Sequence, residues 1–196
     1  MKRLITLLAS VLLASCATKY DALRNYSGTD AGTVVASVGM TSENIMNVST
    51  IEFRRKSSGD LGRLDFSPKA AKMFGGTSID FASSVGSAAL VQKRLPPGEY
   101  EIIRFSSGSN YVYSMLFYLA PENFVIPFRV ISGETTYLGQ YMVGLNEVNR
   151  RPVSSYLEIT DEFQRDIAKL GGSKQNVRNE AAEIVKGAPS GKRRLN

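Results

Sequence analysis

Hydrophobic positions alternate with small or polar ones along most of this chain. Val34, Ala36, Val38 and Met40 share one phase, Ile51 and Phe53 alternate with Thr50, Glu52 and Arg54, and Leu64 and Phe66 resume the pattern beyond Ser57-Ser58-Gly59-Asp60. A period of two puts every second side chain on one face of an extended chain, so these segments predict half-buried strands joined by a turn. Residues 88–94 predict another strand, closed by Leu95-Pro96-Pro97-Gly98, where Pro presets φ and Gly tolerates a positive one. The chain is then extended again over 99–107, with Tyr100 and Ile102 expected on one face and Ile103 and Phe105 on the other.

Residues 111–119 form the most apolar stretch, with Tyr111, Tyr113, Met115, Phe117 and Leu119 on one face and Val112, Leu116 and Tyr118 on the other. A strand apolar on both faces is central, or its outer face meets a partner, which makes Tyr111, Tyr113 and Tyr118 a candidate partner surface. A strand over 125–131 contains Pro127, which cannot donate to a ladder and so marks an edge or a bulge. Residues 135–144 are expected to pair with it across Ser132-Gly133-Glu134, and 153–159 add one more strand. Only near the end does the period change. Phe163, Ile167 and Leu170 fall at i, i+4 and i+7, predicting an amphipathic helix over 161–170, capped by Thr160, stopped by Gly171-Gly172, with Arg165, Asp166 and Lys169 facing water. The expected fold is all-β: an antiparallel β-sandwich of about eight or nine strands with one C-terminal amphipathic helix, a small barrel being the alternative.

The N-terminus follows neither period. Lys2 and Arg3 precede an apolar run from Leu4 to Leu13, and Leu13-Ala14-Ser15-Cys16 closes it. That run is too short for a spanning helix, which needs about 20 apolar residues. The arrangement resembles a bacterial lipoprotein signal. The resemblance implies cleavage between Ser15 and Cys16 and a diacylglyceryl group on the Cys16 thiol, with palmitate-type acyl chains holding the chain to a membrane. Two or more such chains anchor a protein almost permanently. Ala17 rather than Asp after the Cys implies, by the same resemblance, sorting to the outer membrane, facing the periplasm. The expected organisation is a signal peptide over 1–15, a lipidated Cys16 and flexible tether over 16–31, a sandwich domain with its helix over 32–170, and a flexible basic tail over 171–196, ending in Lys192-Arg193-Arg194 and holding a helical turn around 179–186.

Composition narrows the chemistry. The sequence has no His, and its single Cys is Cys16, so His-based acid–base catalysis, Ser-His-Asp and Cys-His arrangements, a disulfide framework and ordinary zinc sites are all excluded. Loss of Lys2 and Arg3 lowers the basic count from 24 to 22 against 18 acidic residues, a formal charge of +4. An exported chain does not meet nucleic acid, so the anions within reach are lipid headgroups or cell-wall material. Gly75-Gly76-Thr77-Ser78 and Gly86-Ser87 lack phosphate-loop spacing. The long segment 67–85 is where a functional loop could lie. Asp60, Asp65, Asp80, Glu99, Glu101, Glu122 and Glu134 are scattered, and nothing in their spacing forces two carboxylates into one cleft. No motif asks for a metal or a cofactor.

Leu95-Pro96-Pro97-Gly98-Glu99-Tyr100, with Gly133-Glu134-Thr135-Thr136-Tyr137-Leu138-Gly139 further on, resembles the paired pattern of small prealbumin-like sandwich domains of bacterial lipoproteins. The likeness spans residues 88–145 and implies a fold and an envelope setting, with no catalytic residues. The expected function is a non-enzymatic binding or scaffolding module in the periplasm, bound to the membrane through Cys16, with an envelope protein or cell-wall material as partner. A structural subunit of an envelope or secretion assembly is the alternative, and a carboxylate-based hydrolase comes third.

Overall fold

The computed structural model describes residues 23–24, 26–41, 47–67, 79–83, 86–111, 114–119, 125–148, 151–171, 177–187 and 191–194. Strands dominate: β1 (Gly32–Met40), β2 (Asn47–Arg55), β3 (Leu61–Phe66), β4 (Phe81–Ser83), β5 (Gly86–Leu95), β6 (Gly98–Tyr111), β7 (Ser114–Leu119), β8 (Ile126–Val130), β9 (Thr135–Val148) and β10 (Arg151–Thr160). Then come α1 (Phe163–Lys169), β11 (Val177–Asn179), α2 (Ala181–Gly187) and β12 (Gly191–Arg194). One sheet runs β12-β10-β9-β1-β5-β4, with β11 also on β9; the other runs β3-β2-β6-β7, with β8 also on β6. The fold is all-β and two-sheeted.

The two sheets enclose one core. Val34, Ala36, Val38 and Met40 of β1 meet Ile51 and Phe53 of β2, Leu64 and Phe66 of β3, and Phe128 of β8. Tyr100 stacks on Phe128 at 5.3 Å, and Phe53 presents an edge to both rings. Phe105 of one sheet stacks on Tyr141 of the other at 6.4 Å, joining the layers. Such aromatic pairs add about 0.5–1.5 kcal/mol beyond the area they bury.

Several expectations give way here. The sandwich is mixed rather than antiparallel, because β9 runs parallel to β1 and to β11. Residues 125–131 and 135–144 do not form a hairpin: β8 pairs with β6 and β9 with β1, so Ser132-Gly133-Glu134 carries the chain from one sheet to the other. The apolar stretch 111–119 is not one central strand. Tyr111 ends β6 opposite Ser114, and β7 folds back antiparallel along β6. Among the described residues twelve strands replace the expected eight or nine, and two helices the expected one.

Both long strands, of 14 residues each, carry an irregularity that resets the alternation. Between Glu52↔Arg104 and Phe53↔Ile102 the extra residue is Ile103, so Ile102 and Phe105 both turn into the core rather than to opposite faces. In β9, Val35↔Tyr137 is followed by Ser37↔Gln140. The surplus Leu138-Gly139 brings Leu138, Tyr141 and Val143 to the same face. Gly139 has φ +105°, a conformation L side chains rarely adopt.

The helices close what the strands leave open. α1 lies on the outer face of the first sheet, where Val35, Tyr137, Ile167 and Ala181 form a second cluster with Phe163 and Leu170 against it. Asp161 Oδ1, not Thr160, accepts the Phe163 N–H, at 3.0 Å; Thr160 ends β10. Asp166 does not face water but is fully buried. The expected tether and tail are also partly built into the fold. Leu23 is 1% exposed within the core, Ile184 of α2 is 4% exposed, and Gly191–Arg194 pairs with β10.

Candidate functional site

On the flank where β8 faces β9, the edge of the sandwich is open and α2 covers only part of it. β8 alternates: Ile126, Phe128 and Val130 point into the core while Pro127 and Arg129 are exposed. An edge strand needs a device against further pairing, and Pro127 supplies one by lacking an N–H. Arg178 supplies another, its Nη2 donating to the Arg129 carbonyl oxygen, which also accepts from Thr136 Oγ1 at 3.1 Å. β11 reaches this place by pairing with the start of β9, Val177↔Thr135 to Asn179↔Tyr137. Glu180 N–H then donates to Tyr137 O at 3.0 Å, and Asn179 Oδ1 accepts the Ala181 N–H at 2.9 Å, starting α2.

The result is a cleft of about 510 Å³ between β8, β11 and α2. Its apolar wall is Val125, Ile126, Pro127, Phe128 and Ile184; its charged groups are Glu99, Arg129, Arg178, Glu180 and Glu183. Val125 is 52% exposed at the mouth. Arg129 pairs with Glu99 at 3.2 Å and Arg178 with Glu180 at 3.1 Å. Burial pushes the Glu180 carboxyl above its usual range; Arg178 opposes this and Glu99 adds to it. Arg178 Nε is buried behind this wall without a hydrogen-bond partner. An apolar cleft of this size with a few convergent polar groups has the general character of a small-molecule site, which ranges over about 300–1,000 Å³.

A second constellation is closed. Asp166 accepts from Ser37 Oγ at 2.5 Å and Tyr137 OH at 2.6 Å through Oδ2, and from Arg165 at 2.7–2.8 Å through Oδ1. Arg165 also donates to Gln140 Oε1 and sits 4.1 Å over the Phe81 ring. Burial first, then the bond to Asp166, holds the Tyr137 phenol far above its ordinary range. Ser37, Tyr137 and Asp166 are each 0% exposed, so a substrate cannot reach them, and the cluster clamps α1 to β1 and β9.

Cys16 and Ser15 lie outside the described residues, as do Tyr113, Glu122 and most of 67–85. Tyr111 and Tyr118 stand on different strands, at registers Tyr111↔Ser114 and Ser107↔Tyr118; their side chains are outside the described set. Of the scattered carboxylates that lie among the described residues, Glu99 alone enters the cleft, joined by Glu180 and Glu183 from the segment expected to be a tail. Sequence reasoning missed this convergence because Glu99 opens a strand in the middle of the chain and Glu180 lies far beyond it, in the expected tail. The available signal was the helical turn around 179–186. Among the described residues no group of three or more His, Cys, Asp or Glu could hold a metal ion, and no helix is long and apolar enough to cross a membrane.

No family model matches this chain, and no curated protein is similar to it. A leucine-rich repeat protein from Bacteroides thetaiotaomicron is a solved structure with partial likeness, at 13% identity and a TM-score of 0.34. The likeness covers 58% of this chain and 14% of that one, and at that score it carries no argument about fold or function. The chain thus spans about a seventh of that protein's length, the 14% just given.

Proposed function

We propose that this chain is a lipid-anchored, non-enzymatic binding module of the bacterial outer membrane, held by acyl chains on Cys16 and facing the periplasm, with the cleft between β8, β11 and α2 as its ligand site. The observation that carries the binding role is the cleft itself: an apolar wall rimmed by two Arg–Glu pairs whose guanidinium groups can meet an acceptor. Such a site suits a compact amphipathic ligand with an apolar body and a hydrogen-bond acceptor. The anchor reading is supported by Leu13-Ala14-Ser15-Cys16 after a basic start and a short apolar run. A prealbumin-like identity for the two sheets is the finer form of the fold that the 88–145 resemblance supports.

Two measurements test this reading. Mass spectrometry of the membrane fraction should find a mature chain starting at Cys16 with acyl mass, and Cys16→Ser should accumulate as unprocessed precursor. Native mass spectrometry after mild extraction should find a small molecule on the wild-type that Val125→Trp, which fills the cleft mouth from an exposed position, does not retain. An unmodified Cys16 overturns the anchor, and equal occupancy of the two proteins overturns the cleft.

A carboxylate hydrolase is the second reading, favoured by the meeting of Glu99, Glu180 and Glu183 and by the raised Glu180. Against it, Glu99 and Glu180 are each committed to a guanidinium. Glu180→Gln separates the two, since a binding module keeps its ligand and a hydrolase stops turning it over.

A further inference from the structure

The sandwich has two flanks, and they differ in charge. On one, β3 faces β5 across the core; on the other, β8 faces β9 and the cleft opens. Around the β3/β5 flank stand Arg63, Lys93 and Arg94, and Arg24 arrives beside them directly after Leu23 enters the core. Arg24, Arg63 and Asp65 are the charges felt by Lys93, whose ammonium burial holds below its usual range. Arg94 Nη2 donates to Gly28 O at 3.0 Å, tying the entering segment to β5, and Asp30 lies in that segment. Four cations therefore face two carboxylates, Asp30 and Asp65. The cleft flank is balanced instead, Arg129, Arg178 and Lys186, which pairs with Glu183 at 2.6 Å, standing against Glu99, Glu180 and Glu183.

Chain length adds a geometric limit. Leu23 is seven residues beyond Cys16, and a trans polypeptide spans at most about 3.6 Å per residue, so the entry point lies within about 25 Å of an acylated Cys16. That is roughly the diameter of a small domain. A tether this short keeps the side where the chain enters the sandwich within reach of the leaflet. We infer that the β3/β5 flank is a membrane-docking surface, in which Arg24, Arg63, Lys93 and Arg94 rest on the anionic phospholipid headgroups of the leaflet that holds the acyl chains, leaving the β8/β11/α2 cleft turned toward the aqueous side. The inference rests on acylation of Cys16 and adds an orientation to it. It also explains why the ligand cleft and the basic flank lie on opposite sides of the core: a binding module held flat must present its site away from the lipid.

The test uses the full acylated chain in vesicles. Cys16 is the only cysteine and its thiol is consumed by the lipid, so one introduced cysteine can be labelled selectively. A fluorophore is placed at Gln92→Cys, exposed on β5 two residues from Arg94, or at Ala182→Cys, exposed on α2 by the cleft. Headgroup-nitroxide lipid in phosphatidylethanolamine–phosphatidylglycerol vesicles should quench the Gln92 site more than the Ala182 site. Raised salt or phosphatidylcholine vesicles should remove the difference. Each basic group near an anionic surface is worth about fivefold, so Arg24→Gln with Arg63→Gln and Arg94→Gln should weaken docking on the order of a hundredfold. Removing the same charge elsewhere, with Arg104→Gln, Lys169→Gln and Lys186→Gln, should leave it unchanged. Equal quenching at the two sites, in protein that floats with the vesicles, overturns the orientation and leaves the anchor standing. Protein without acyl mass that does not float overturns the anchor, and the orientation with it.

Discussion

Asp166 was expected on the wet face of a helix, and it is buried beneath that helix. The helical period identifies Ile167 and Phe163 as inward but says nothing about donors waiting on the sheet below. Ser37 and Tyr137 point from β1 and β9 to where the Asp166 carboxylate arrives, and Arg165 folds back to share it. A buried charge is stable only when it is paired and hydrogen-bonded, and removing one partner is costly. Asp166→Asn sets an amide donor against three donors and should destabilise the fold by about 3 kcal/mol, a figure held to the low end because Arg165 is partly exposed to water. A shift of the denaturation midpoint reads this directly. Glu180 makes the complementary case. Its carboxyl is raised above the usual 4.5, chiefly by desolvation, so the folded state binds its proton more tightly than the unfolded chain does. Stability contributed by that proton is present below 4.5 and is lost as pH rises through the folded value. The wild-type should therefore lose stability relative to Glu180→Gln as pH increases across that window, measured by denaturant melts at several pH values. A parallel pair of curves would refute the assignment.

At the level of elements, the strands were legible wherever the alternation ran unbroken. β1, β3, β5 and β8 lie where the period of two places them, and Pro127 stands on an edge strand as expected. The long strands were harder to read. One surplus residue at Ile103 and another at Leu138-Gly139 invert the phase, and no composition cue separates Ile103 from its neighbours. Gly139 is the exception, because its φ of +105° requires glycine. A Cβ there would stand 3.1 Å from Thr160 O and 3.3 Å from Ala181 Cβ, pressing on β10 and α2 together. Gly139→Ala should cost about 2 kcal/mol and increase hydrogen exchange in α2 first, since that helix docks against the bulge. Unchanged exchange in α2 would show that the bulge does not position it. The short elements β4, β11 and β12 left no mark in the sequence, because three or four residues are too few to establish a period.

For the molecule as a whole, the sequence by itself determined the all-β class, the turns at Gly59 and Gly98, the amphipathic helix and, with no His in the chain, the exclusion of His chemistry. Each of these follows from residue type or local spacing, which act over one turn or one strand. Tertiary structure alone decided that β8 and β9 belong to different sheets, that β1 and β9 run parallel, that Leu23 and Ile184 complete the core from outside the expected domain, and that Glu99 meets Glu180 in one cleft. Those outcomes depend on which apolar faces bury one another best once strands distant in the chain compete for the same edge. Periodicity specifies that a face must be covered, but only the packed chain specifies by what.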